Sequence, residues 1–188
     1  MGSATGLVVV TPPAVEPVTL DEAKDYAGIR GSSFDTRIAM FITAARVRLE
    51  QDNGRSYIHT TRRYTLDWWP VEQAVIKPPY APLASVTSIT YVDAAGDTQT
   101  WAADQYQVDL TTEPGRIARA YGVSWPVIRG DLGGIQIVYV SGHGAAASDV
   151  PQEYRLAILD IVRQMWDMPG AYPEGVPAGM PQTEAGKI

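Results

Sequence analysis

For imidazole or thiol chemistry this 188-residue chain offers two histidines, His59 and His143, and no cysteine. Thiolate metal sites, iron–sulfur clusters, disulfides and cysteine nucleophiles are thereby excluded. Two imidazoles are also too few for a histidine-only metal cluster. Ser141 and His143 are close in sequence, but the Gly-x-Ser-x-Gly elbow is missing and no neighbouring acid is placed to orient the ring. Gly142-His143-Gly144 follows an apolar run and leads into Ala145–Ala147 and a proline-started helix, so it reads as a turn rather than a phosphate cradle. Asp21, Glu22 and Asp25 fall at the start of a predicted helix, where the helix dipole favours negative charge. Glu50 and Asp52 flank a helix end and read as solvated. The expectation is a protein with no catalytic residue, no metal ligand and no cofactor.

Cations are concentrated in one stretch. Arg62-Arg63 follows Arg46, Arg48 and Arg55, with Tyr57 and Tyr64 interleaved. One reading is a nucleic-acid surface in which the tyrosines stack on bases. The other is solvent-facing or intersubunit arginine on a strand edge. The balance of 15 Lys+Arg against 21 Asp+Glu, a net charge of −6, favours the second, because phosphate binding needs a dense cationic face. Arg46 and Glu50 are spaced i, i+4 and read as a surface pair worth about 0.3–0.5 kcal/mol. Trp68-Trp69-Pro70 is unusual. Neighbours on a strand point to opposite faces, so one indole can fill a core while the other meets solvent or a partner.

The elements that must position these residues follow from period and punctuation. Residues 1–18 contain Pro12, Pro13 and Pro17 and read as an arm with a short strand at Leu7–Val10. Thr19-Leu20-Asp21-Glu22 has capping-box spacing and opens a helix over 20–29, ended by Gly31. Phe34, Ile38, Phe41, Ile42, Ala45 and Leu49 recur at helical spacing and predict a second helix over 35–53, capped by Ser33 or Asp35 and stopped at Asn53-Gly54. From 56 to 144, runs rich in β-branched and aromatic residues predict an antiparallel β block, with a hairpin turn at Ala94–Asp97. A third helix spans 151–167, with Asp149 available as its cap. Its apolar arc is about 200° wide, twice the ~100° stripe of a surface helix, which predicts packing on two sides, within the subunit or against a neighbour. Leu156 lies outside that arc. Residues 168–188 are rich in Pro and Gly and read as a tail. The fold class is α+β: a small helical bundle with an inserted β block and terminal arms, one connector domain over 19–167. The longest early apolar run, Leu7–Val10, is too short to span a membrane, so neither a membrane anchor nor secretion is expected.

Taken in order, several segments resemble the head–tail connector (adaptor) proteins of long-tailed bacteriophages and phage-like gene transfer particles. They include Pro17-Val18-Thr19-Leu20-Asp21-Glu22-Ala23-Lys24, Ala44-Ala45-Arg46 through Asn53-Gly54-Arg55, Leu66-Asp67-Trp68-Trp69-Pro70 and Ser85–Asp93 with Gly96. Tyr106-Gln107-Val108-Asp109, Gly115-Arg116-Ile117, Trp125-Pro126, Ile137–Gly142 and Val150-Pro151 complete the set, which spans roughly 10–167. The resemblance implies a non-catalytic virion protein at the head–tail junction, assembled in the bacterial cytoplasm. It would form a ring of about twelve copies beneath the portal protein, hold a stopper or tail-terminator protein below, and let DNA pass without gripping it. On this view Trp166, Met168, Tyr172 and Met180 are the candidate portal contacts. Arg46, Glu50, Arg62, Arg63, Trp68, Trp69, Ala95 and Gly96 are candidate subunit or tail contacts. A stopper or tail terminator of similar build, or a small hydrolase using His59 or His143, remains an alternative.

Overall fold

The computed structural model describes residues 5–70 and 75–168. The elements run β1 (Thr5–Thr11), α1 (Leu20–Ala27), α2 (Asp35–Asn53), β2 (Thr60–Leu66), β3 (Val75–Ile76), β4 (Leu83–Val92), β5 (Thr98–Thr100), β6 (Tyr106–Asp109), β7 (Arg116–Arg119), β8 (Ile135–Ser141) and α3 (Gln152–Asp167). The fold is α+β, as the sequence pattern requires.

Local chemistry explains the helix ends. The Thr19 hydroxyl accepts from the Glu22 amide at 3.2 Å, and the Thr19 amide donates to the Glu22 carboxylate at 2.8 Å, completing the capping box. Gly28, at φ 71°, ends α1 in the left-handed conformation that glycine adopts without a Cβ clash. The helix therefore stops ahead of Gly31. Neither Ser33 nor Asp35 caps α2: Phe34 occupies the N-cap with no side-chain bond, and Asp35 instead pairs with Lys24 at 2.7 Å. Asp149 likewise does not cap α3. It accepts from the Ala146 amide at 2.9 Å, tightening the turn before the helix.

The β block resolves into two sheets. Five strands pair antiparallel in the order β1-β2-β8-β4-β5, and a smaller sheet has the order β3-β7-β6. The N-terminal segment is thus part of the main sheet: β1 pairs with β2 from Thr5↔Leu66 to Thr11↔Thr61. That pairing places β2 in the sheet interior and overturns the expectation of edge-strand arginines.

Two cores form. In the helical layer Ile38, Ile42, Ala45, Ile158 and Val162 are buried, joined by Val18 ahead of α1 and by Tyr57 and Ile58 after α2. Helix α3 packs on both α1 and α2, so its wide apolar arc is used within the subunit, while Leu156 remains exposed. In the sheet layer Ile135, Ile137 and Tyr139 of β8 are buried with Ile89, Ile117, Trp69 and Trp101.

Candidate interaction surfaces

A cleft of about 360 Å³ lies between β1, β2 and α2, lined in part by Leu7, Val9, Pro12, Val47, Thr60 and Tyr80. Three charged residues, Arg46, Glu50 and Arg62, also line it, and all three are buried. The Arg46 guanidinium joins Glu16 at 2.7 Å to Glu50 at 2.9 Å. The other Glu50 oxygen accepts from the Tyr57 amide at 3.1 Å. Arg46–Glu50 is therefore a buried pair rather than the surface pair its spacing suggests. Burial pushes the Glu50 carboxyl up, against the Tyr57 amide and the Arg46 and Arg62 charges that pull it down. Arg62 donates from Nε and Nη2 to the Ser56 hydroxyl, at 3.3 and 3.0 Å, and its guanidinium stacks 3.8 Å from the Tyr80 ring centre. Ser56 and Ser141 bond each other at 2.8 Å. Two cations, two carboxylates and two hydroxyls thus hold α2, the segment after it and the sheet together. Each polar group has a partner, the condition under which buried charge is tolerated.

The other residues singled out by sequence fall elsewhere. Arg63 projects from the opposite face of β2 and is exposed, so the paired arginines have unlike roles. Trp69 is 7% exposed and Trp68 56%. The buried indole stacks on Trp125 at 4.8 Å, contacts Trp101 and donates to the Pro126 carbonyl at 2.9 Å. Trp68 lies over Gly130, where a Cβ would come within 2.5 Å of its ring. Ala95 and Gly96 form the β4–β5 turn, in which one Asp93 oxygen accepts from the amides of Ala95, Gly96 and Asp97. A bond from Gln99 to the other oxygen, followed by those amide bonds, holds the Asp93 carboxyl below its ordinary range. Trp166 packs edge-on against Phe34 at 5.0 Å, and Met168 is exposed. Tyr172 and Met180 lie outside the described residues.

His59 is exposed and His143 half-buried, with its Nε2 buried and unpartnered. Burial pushes the His143 imidazole down, aided by the Arg55 charge. Its ring lies 5.7 Å from that of Tyr154. Among the described residues no group of three or more His, Asp or Glu is placed to hold a metal ion.

Sequence reasoning missed two apolar surfaces. On α2, Met40 and Val47 are exposed, although their helix is buried along its other side. On β1, Leu7 to Val10 are exposed in succession. The signal was present in both: α2 carries apolar residues outside its buried stripe, at Met40 and Val47, and β1 lacks the polar alternation of a half-solvated strand.

No family model and no curated protein sequence matches this chain. Solved structures do. A chain in the neck of an empty gene transfer agent particle, computed with C6 symmetry, superposes with TM-score 0.76 at 23% identity, over 92% of this chain and 89% of that one. A chain in the virion of a native gene transfer agent particle gives TM-score 0.74 at 24% identity, covering 91% and 89%. A third, in the neck of a native particle computed with C12 symmetry, gives 0.71 at 22%, covering 93% and 88%. This chain shares their fold over nearly its whole described length.

Proposed function

We propose that this protein is a structural, non-enzymatic subunit of the neck of a phage-like particle, acting as the head–tail adaptor. The observation that carries the reading is the full-length fold likeness to gene transfer agent neck chains, two of them from particles computed with rotational symmetry. The subunits form a ring of about twelve copies between the portal protein and a stopper or tail-terminator protein. The ring assembles in the cytoplasm of the producing bacterium and resides in the particle at the head–tail junction. DNA passes through it, and a net charge of −6 limits adhesion of the phosphate backbone.

Trp166, Met168 and the tail with Tyr172 and Met180 make the portal contact. The β4–β5 turn at Ala95 and Gly96, together with Arg63 and Trp68, faces neighbouring subunits or tail components. Arg46, Glu50, Arg62 and Trp69 act from within, by fixing the elements that carry those surfaces. Electron microscopy of the purified protein, alone and in particles, tests the reading. A ring at the head–tail junction supports it, and a solely monomeric protein absent from particles rejects it. Truncation after Asp167 should leave a folded monomer that no longer joins portal-bearing heads. Normal head attachment by the truncated protein would remove the tail from the portal contact. A ring that binds tails but not heads would identify a stopper or terminator instead.

A further inference from the structure

Among the described residues the main sheet ends in two unlike open edges, β1 and β5. Strand β1 is seven residues long, and Leu7, Val8, Val9 and Val10 are 36%, 50%, 46% and 52% exposed. It has no charge and no proline, and its pairing with β2 has one register shift, between Val9 and Thr11. Single chains avoid such an edge, because its free amides and carbonyls invite pairing with another chain. Strand β5 is the opposite case: three residues, Thr98, Gln99 and Thr100, all exposed and polar. The charges left without an ion pair near the two edges are also opposite, Arg129 beside Gly96 being held by Asp131. Arg63, the register partner of Val8, has no ion pair among the described residues, and neither do Asp97 and Asp104 beside β5.

From these features we infer that β1 pairs with β5 of a second copy, so that the sheet continues from one subunit to the next. The inference rests on the ring reading above and names the contact that would build the ring. Four successive antiparallel pairings separate β1 from β5, so the two edges run in the same direction. The junction is therefore a parallel pair that uses a different edge on each partner. Such a head-to-tail contact repeats without self-closing into a dimer, and it generates a ring when the rotation per copy divides the circle. Pairing also removes Val8 and Val10 from solvent and brings Arg63 towards Asp97 and Asp104.

The absence of cysteine gives a clean test. Val8 shares a sheet face with Thr98 and Thr100, through its pairing with Arg63 and through Thr90↔Thr100. Val8→Cys combined with Thr98→Cys, or with Thr100→Cys for the other register, should give a ladder of linked subunits on oxidation with copper phenanthroline, read on a non-reducing gel. Rings visible by microscopy with no ladder from either pair would overturn the inference while leaving the ring reading intact. Dimers from Val8→Cys alone, at the same yield, would show β1 meeting β1 and overturn it too. Absence of any ring in the wild-type protein removes the ring reading and this contact with it. Independently, V8K with V10K should lower the assembled fraction at least tenfold with an unchanged thermal melt. An unchanged fraction would also overturn the inference. If that variant melts early, the cysteine pairs decide.

Discussion

The helical layer and the sheet layer are both well packed, but they are fastened differently. The helical core is aliphatic, built from Ile38, Ile42, Ile158 and Val162, and is bounded towards the sheet by the Glu16–Arg46–Glu50 chain, in which Arg46 and Glu50 are buried. The sheet core is aromatic, with Trp69, Trp101 and Trp125 in mutual contact and Tyr91 and Tyr106 against them. Apolar contact has no bond direction to satisfy, whereas buried hydrogen-bonded charges are costly when a partner is displaced. The buried charges therefore set the position of α2 against the sheet, and the indoles set the loops that cross it. Both keep the β1 edge and the β4–β5 turn in place for whatever meets them.

Removing one fastener at a time separates the two layers. Trp69→Ala should cost the most, about 4 kcal/mol, because it empties the centre of the indole cluster. Urea denaturation with loss of near-ultraviolet circular dichroism reads this directly. Glu50→Ala should cost about 3 kcal/mol, chiefly through the buried Arg46 and the Tyr57 amide left without their acceptor. If Glu50→Ala proved as mild as a surface change, the charged cluster would not position α2. Thr19→Ala, which opens the capping box in the helical layer alone, should cost about 1 kcal/mol.

Acidification gives a smaller effect with opposite signs at two glutamates. The Glu22 carboxyl is held below its ordinary range, first by the Thr19 amide, and also by Arg155. Its stabilisation is present above about pH 4.3, the unfolded value, and is lost as pH falls through the lower folded value. Glu50 is raised, so between its unfolded and folded values the native state holds more protons, and stability increases as pH falls. Relative to each protein's own stability at pH 6, Glu22→Gln should flatten the acid loss and Glu50→Gln should steepen it. Urea midpoints between pH 6 and 3.5 measure both. Trp68→Ala, beside the most costly site, should change stability least, by about 0.5 kcal/mol. A loss as large as that of Trp69→Ala would mean that Gly130 and the exposed indole form part of the core.

Much of the architecture was legible from the residues. The 3.6-residue recurrence marked α2 and α3, the Thr19–Glu22 spacing marked the start of α1, and the β-branched runs marked the sheet. Boundaries failed where glycine could serve twice: Gly28 and Gly31 are both left-handed, and the first of them ends α1. The candidate surfaces were less legible. Arg62 and Arg63 are identical as letters, and only the register of β2 between β1 and β8 sends one into the cleft and the other to solvent. Arg46 and Glu50 were placed on one helix face, but their spacing does not say that the sheet would cover that face.

Local chemistry alone determined that this chain carries no thiol, that three helices flank a β block, and that one of Trp68 and Trp69 would be buried. These properties depend on residue identity and on contacts a few positions apart. Tertiary structure decided which indole that was, which arginine was buried, and that the first strand joins the sheet with an open apolar edge. Each of these depends on pairing across long separations, such as Val9 with Arg62 and Ser56 with Ser141. A strand's two faces are equivalent until something packs against one of them.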